Sequence, residues 1–378
     1  MVELSLPRVS HVISVVTACA MLVACSMPSR LLAAPQPTPV SPWDVEARLY
    51  LGTPKSEAAV QRGLAYLAAR QAPDGHWQSG GYQQDVAITG LAVLAFLAAG
   101  NQPGRGRYGS NINQAVDWLA DQVQMSGQFV QAGLIRSPQG GPPMYDQGFA
   151  LLSLAEVYGM TQRRNLKPKL EAAIHLIEDT QNQNGDPRLD GGWRYMPRQG
   201  DADLSVTGAQ IQALRACRDA GLAVDQGTLD RAMGYVKRSA NKDGGFSYQI
   251  GQNQSDPART GISVLALYLA HEQNSVECRN GIAYLANHPF NQANMWMYGQ
   301  HFHYGIYYVT QAMYQAGGKY WATWFSRIRD ELVNIQNDDG SWRQTPYMSD
   351  AGGVYATSMA ILVLQVPAGL LPLYQHLE

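Results

Sequence analysis

Charge is scarce in this chain. Only 15% of its 378 residues are Asp, Glu, Lys or Arg, and the formal net charge is −2. No basic stripe runs along it, which removes the electrostatic case for a nucleic-acid partner. Cysteine is also sparse, with four in all. Cys19 and Cys25 fall at the N-terminus, while Cys217 and Cys278 sit in or near helical stretches. Spacing alone does not bring the last two within bridging range, and two buried thiols are the simpler expectation. After residue 35 no apolar run is long enough to span a bilayer.

What is present begins with an N-terminal segment that reads as an export signal over residues 1–34. Arg8 precedes an apolar core from Val12 to Val23. Leu22-Val23-Ala24-Cys25 resembles a lipobox, which makes Cys25 the expected lipidation site. The alternative is ordinary cleavage after Leu32-Ala33-Ala34. Both imply a periplasmic or cell-envelope location, with membrane contact only through the lipid anchor. Residues 35–55 form a linker whose Pro-Gln-Pro-Thr-Pro-Val-Ser-Pro start is stiff and extended.

The rest, residues 56–378, is written as one sentence repeated. Its clearest copy runs from Arg62-Gly63 through Tyr66-Leu67 and Gln71 to Asp74-Gly75-His76-Trp77. This is the end of an amphipathic helix, an amide placed to tie down the helix end, a tight turn and a large ring to seal the corner. Asp85-Val86-Ala87-Ile88-Thr89-Gly90 then opens a helix that is apolar all round. The pattern of outer helix, corner and inner helix recurs to give six hairpins. Later inner helices open at Asp146-Gln147-Gly148-Phe149, at Asp203-Leu204-Ser205-Val206-Thr207-Gly208, at Asp256-Pro257-Ala258-Arg259-Thr260-Gly261, near Tyr304 and at Tyr355. Helices apolar on every side cannot line a flat array without exposing themselves. Closure into a ring, six inner helices within six outer ones, is the expected all-α architecture.

The Arg62–Trp77 stretch resembles the QW motif of squalene and terpene cyclases, and Gln336–Trp342 resembles its second half. The Asp-x-x-x-Thr-Gly openings resemble the prenyltransferase/squalene-oxidase repeat. The likeness covers about Ser56 to Leu364 and implies an α/α-toroid. It does not by itself give the activity. Cyclases of this family protonate an alkene or epoxide with the middle Asp of Asp-x-Asp-Asp-Thr. The nearest string is Asp201-Ala202-Asp203-Leu204-Ser205-Val206-Thr207. Aligned on Asp-x-Asp, Asp203 takes the acid position and Leu204 replaces the next Asp. Aligned on Thr207, Asp203 matches the first Asp and Ser205 falls where the acid belongs. The Asp-x-Cys of a prenyltransferase zinc site and the Gly-Cys-Gly-Glu-Gln of a thioester domain are both missing from the sequence. No metal or other cofactor is implied.

Three groups remain as candidate site residues. Asp85, Asp146, Asp203 and Asp256 head inner helices, where the simplest role is N-capping and the functional one is general acid. Trp296, His303, Tyr304, Tyr307 and Tyr355 are candidate cavity walls, with core packing as the plain alternative. Arg194, Arg198, Arg259 and Arg343 fall near the same rim, either solvated or as an anion clamp. The expectation is a terpene-cyclase-like enzyme or binder of an isoprenoid or other lipid. The alternatives are a non-catalytic envelope scaffold and, further off, a polysaccharide-active α/α-barrel.

Overall fold

The computed structural model describes residues 51–126, 132–290, 301–342, 352–372 and 375. The segment Met1–Val40, and with it Cys25, lies outside the described residues; the compact unit Ser41–Glu378 contains all of them. Trp296 and Arg343 also lie outside the described residues.

Among the described residues there are twelve α-helices. The outer ones are α1 (Pro54–Arg70), α3 (Gly109–Asp121), α5 (Lys167–Thr180), α7 (Gln226–Arg238), α9 (Val276–Asn287) and α11 (Gly318–Ile335). The inner ones are α2 (Val86–Ala98), α4 (Pro143–Thr161), α6 (Leu204–Asp219), α8 (Pro257–Leu269), α10 (Phe302–Ala316) and α12 (Gly353–Gln365). Each inner helix packs on the next, and α12 packs back on α2, so the ring is closed. Each outer helix lies against two neighbouring inner ones. Burial follows the sequence. In α2 every residue but Ala87 is buried, whereas α1 buries only the stripe Ser56, Ala59, Val60, Gly63, Leu64 and Leu67.

The Asp-x-x-x-Thr-Gly string owes each letter to a separate contact. The Asp caps the inner helix: Asp85 accepts from Ile88 N (2.8 Å), Asp203 from Ser205 N and Val206 N (2.9 Å each), and Asp256 from Arg259 N (2.9 Å). The Thr hydroxyl accepts the N–H of the corner aromatic residue, Trp77 to Thr89, Trp193 to Thr207 and Phe246 to Thr260. The Gly admits the next inner helix. A Cβ on Gly90 would stand 2.9 Å from Phe149 O, and one on Gly261 2.8 Å from Val309 N. The corner amides work the same way. Gln71 donates to Gly75 O and Asn111 O, and Gln181 to Gly191 O and Thr228 O. Gln336 donates to Gly340 O and to Ala59 O of α1, so the last corner grips the first helix and closes the ring. Trp77, Trp193 and Trp342 each send the indole N–H to a carbonyl of the preceding outer helix at 2.7–2.8 Å.

Thr207→Val keeps the shape but leaves the buried Trp193 N–H without an acceptor. It is expected to cost about 2 kcal/mol in urea denaturation. Thr207→Ser should recover most of that, and equal losses for both would contradict the role given to the hydroxyl.

The second repeat departs from the expected pattern. Its inner helix starts at Pro143, three residues before Asp146, because Pro at the first helical position carries the right φ and needs no hydrogen-bond partner for its nitrogen. Asp146 therefore sits inside the first turn and does not cap its own helix. Gln147 stands in for both missing residues: its Oε1 accepts Ile135 N (2.8 Å), and its Nε2 donates to Gly133 O and Ala173 O. Cys217 and Cys278 are buried free thiols, and burial pushes Cys278 up to about 12. No helix among the described residues is long and apolar enough to cross a membrane.

Candidate functional site

All the inner helices begin on one rim, and there the corner loops meet the neighbouring helix starts in a fixed register. In the first four corners, the residue two places after the corner position contacts the first turn of the preceding inner helix. Ser79 Oγ accepts Tyr355 N and Ser137 Oγ accepts Val86 N, while Tyr195 O accepts Met144 N and Tyr248 O accepts Leu204 N. In the third and fourth corners that residue is tyrosine, so the register delivers two phenols to the rim. Tyr145 of α4 and Tyr304 of α10 supply two more.

These side chains converge. Tyr145 Oη donates to Ser205 Oγ at 2.9 Å, and Ser205 Oγ donates to Asp203 at 2.5 Å. Tyr304 Oη reaches Ser205 O at 3.5 Å. Since α10 and α6 are separated in the ring by α8, that contact bridges the lumen. Tyr304 meets Tyr308 edge to face at 4.8 Å between centroids, and Tyr307 meets Tyr308 in the same way. Tyr195 lies 5.9 Å from Tyr145 and shares a hydroxyl hydrogen bond with Tyr248. Tyr145, Tyr195, Tyr248, Tyr304 and Tyr355 are half-buried, whereas Tyr307, Tyr308 and His303 are fully buried. Burial pushes the phenols of Tyr145, Tyr304 and Tyr308 upward, with neighbouring tyrosines adding to it in all three and Asp203 in the first two, so they stay protonated near neutral pH. Deeper in the lumen, Gln212 Nε2 donates to Gln311 Oε1 at 3.4 Å, a second bridge between α6 and α10.

The carboxylates are all engaged. Asp203 is wholly inaccessible; besides its capping bonds it is paired with Arg194 at 2.7 Å, and the same guanidinium lies 3.1 Å from Asp201 and over the Tyr195 ring at 4.2 Å. Asp256 pairs with Arg259, whose guanidinium also lies 5.0 Å from the Tyr248 ring centre. Burial raises the Asp256 pKa against the pull of Arg259. Asp146 accepts from Ser137 N (2.7 Å), Ser137 Oγ (2.8 Å) and Ala87 N (3.2 Å), so with Asp85 it serves the N-terminus of α2. Burial, then the Asp85 charge, lifts Asp146 to about 7, and burial raises Asp85 as well. Arg198 faces away from this group, paired with Asp179 on the surface. Among the described residues no three His, Cys, Asp or Glu side chains assemble a metal site.

Of the candidates that the sequence offers, the structure brings together Asp203, Tyr304, Tyr307 and Tyr355, with Arg259 and Asp256 at the edge. It sets Asp85 and Asp146 apart as a pair between α2 and α4. Ser205, Tyr145, Tyr195 and Tyr248 were not singled out from sequence as ligand contacts. A cleft of about 380 Å³ opens elsewhere, on the outer surface between α9 and α11, lined by Leu285, Phe290, Met313, Tyr320 and Trp324 among others, and shares no residue with the rim.

Comparison with solved structures places this architecture. A type II terpene cyclase, MstE from Scytonema, in complex with geranylgeranyl dihydroxybenzoate, superposes with a TM-score of 0.54 at 15% identity, over 84% of this chain and 98% of that one. The fold is the terpene cyclase-like α/α-toroid. A glycosidase shares it with a TM-score of 0.60 at 13% identity, over 84% and 98% of the two chains. A protein from Actinoplanes follows at 0.55 and 16%, over 83% and 99%. Among curated proteins, drimenyl diphosphate synthase of Streptomyces showdoensis is 26% identical over 224 residues, 57% of this chain. The toroid chain spans 38% of that relative's length. No family model matches the sequence.

Proposed function

We propose that this toroid binds an isoprenoid at the tyrosine-lined rim of its inner barrel. The observation that carries the proposal is the convergence of five half-buried phenol rings from four separate segments and α12 on one mouth. Aromatic faces offer dispersion contacts to a methyl-branched alkene chain, and protonated hydroxyls beside them orient a polar head. The names of the terpene cyclase neighbour and the curated relative support a ligand of this class.

In this reading Asp203 positions and does not protonate. The N-cap and the Thr207 bond give Asp203 and Thr207 fixed structural roles, which favours the alignment on Thr207 in which Ser205 stands at the acid position. An alcohol is far too weak an acid to protonate an alkene, and Ser205 already donates to Asp203. The chain is therefore proposed as a binder first. The Asp85–Asp146 pair serves one helix end and does not face across the lumen, which gives the carbohydrate reading no support. Export, with Cys25 as the lipidated residue, belongs to the same proposal and rests on the N-terminal sequence.

Titration of the purified full chain with geranylgeraniol, followed by intrinsic fluorescence, tests the reading. Saturable binding is expected, weakened about tenfold or more in Tyr304→Ala, roughly the 1.4 kcal/mol of one lost aromatic contact. A parent that fails to bind, or a variant that binds as tightly with an unchanged circular dichroism spectrum, would remove the rim as the site.

A further inference from the structure

The charge arrangement at the same rim bears on which isoprenoid it accepts. We propose that the ligand carries an uncharged head group, such as an alcohol, phenol or ketone, and is not a diphosphate ester. This rests on the isoprenoid reading above and sharpens it.

Proteins hold diphosphates with unpaired guanidinium groups, with open helix N-termini or with a divalent cation held by carboxylates. Among the described residues of this rim the two guanidinium groups beside the tyrosines are taken, three of the helix starts are capped, and no cation-holding trio assembles. Arg194 is committed twice, to Asp203 at 2.7 Å and Asp201 at 3.1 Å, with its flat face on Tyr195. Arg259 is committed to Asp256 and approaches the Tyr248 ring. Around the tyrosines three carboxylates thus oppose two guanidinium groups, before Asp85 and Asp146 are counted. Three of the six inner-helix starts are filled too, whereas α4, α10 and α12 begin without a side-chain cap. Asp85, Asp203 and Asp256 cap α2, α6 and α8, and Asp146 takes the Ala87 N–H in addition. No trio of metal-ligating side chains comes together among the described residues to recruit a cation. A group of roughly three negative charges would enter a field already negative, with neither guanidinium free to receive it.

The neutral features point the other way. Half-buried phenols remain protonated and offer donors and acceptors to an uncharged oxygen, and the ring faces accept a hydrocarbon. The same side chains that repel a diphosphate therefore leave the site competent for a prenyl alcohol or a prenylated phenol.

The test is a pair of titrations on the full chain, with geranylgeraniol and geranylgeranyl diphosphate, which share one hydrocarbon chain. Each is run with and without Mg²⁺ and at low and physiological salt. The alcohol is expected to bind at least about tenfold tighter, with the gap widening at low salt. Diphosphate binding as tight as the alcohol or tighter overturns this inference and leaves the isoprenoid reading standing. Failure of both ligands overturns the reading itself, and the inference with it. Asp201→Asn supplies a second check. It removes one partially exposed carboxylate while Arg194 keeps Asp203, so the fold is retained and the diphosphate should gain several-fold. A gap unchanged in that variant removes the electrostatic basis and overturns the inference.

Discussion

Asp203→Ala is expected to destabilise the chain by about 3–5 kcal/mol, the range for breaking a buried ion pair from one side. The carboxylate is wholly inaccessible and accepts from two backbone N–H groups, the Ser205 hydroxyl and Arg194. Its removal uncaps α6, a loss of about 1 kcal/mol alone, and leaves Arg194 with Asp201, whose carboxylate is partly solvated. Asp256→Ala makes the better control. That residue also caps a helix and pairs with an arginine, but both partners reach solvent (28% and 22% exposed), so about 1–2 kcal/mol is expected. Urea denaturation of the two variants and the parent gives the comparison. Losses for Asp203→Ala no greater than for Asp256→Ala would mean that the Arg194 pair does not organise the rim.

The architecture could be read from sequence because each repeat solves the same local problem with the same residues. Asp85, Asp203 and Asp256, with Thr89, Thr207 and Thr260, are spaced by helix geometry, so their recurrence marks inner helix starts without knowledge of the ring. Trp77, Trp193 and Trp342 likewise mark corners by short-range need. Gln147 escaped because it answers that need from a different position, one side chain doing the work of Gln71 and Thr89. The rim was legible only in part. Tyr304 and Tyr355 stood out near helix starts, but Tyr145, Tyr195 and Tyr248 lie in three repeats and meet only because the ring brings each corner to the preceding helix. A signal was present, since Tyr195 and Tyr248 both stand two residues after a corner aromatic. Its meaning depended on backbone contacts such as Leu204 N to Tyr248 O, which no spacing in the sequence announces.

The Asp85–Asp146 pair yields a pH-dependent stability whose sign is set by the direction of the shift. Asp146 titrates at about 7 in the folded chain against 3.8 for an ordinary Asp, chiefly because burial disfavours the charged form and Asp85 adds repulsion. A folded pKa above the unfolded one means that its stabilising contribution is complete below the unfolded value. The contribution then shrinks as pH rises and is lost once pH passes the folded value. The window is therefore about pH 4 to 7. At ~1.4 kcal/mol per unit, the parent should lose about 3 kcal/mol between pH 5 and pH 8 through this group. Asp146→Asn keeps an acceptor oxygen for only one side, Ser137 or Ala87 N, so it starts less stable, but it has no proton to lose and its stability should decline far less over the same interval. Asp85 and Asp256 are raised too and slope the same way, so the difference between parent and variant reports Asp146 together with its repulsion of Asp85. Urea midpoints at the two pH values, four measurements in all, decide it. Parallel declines would show that Asp146 ionises freely in the fold, and the raised pKa assigned to it would have to be abandoned.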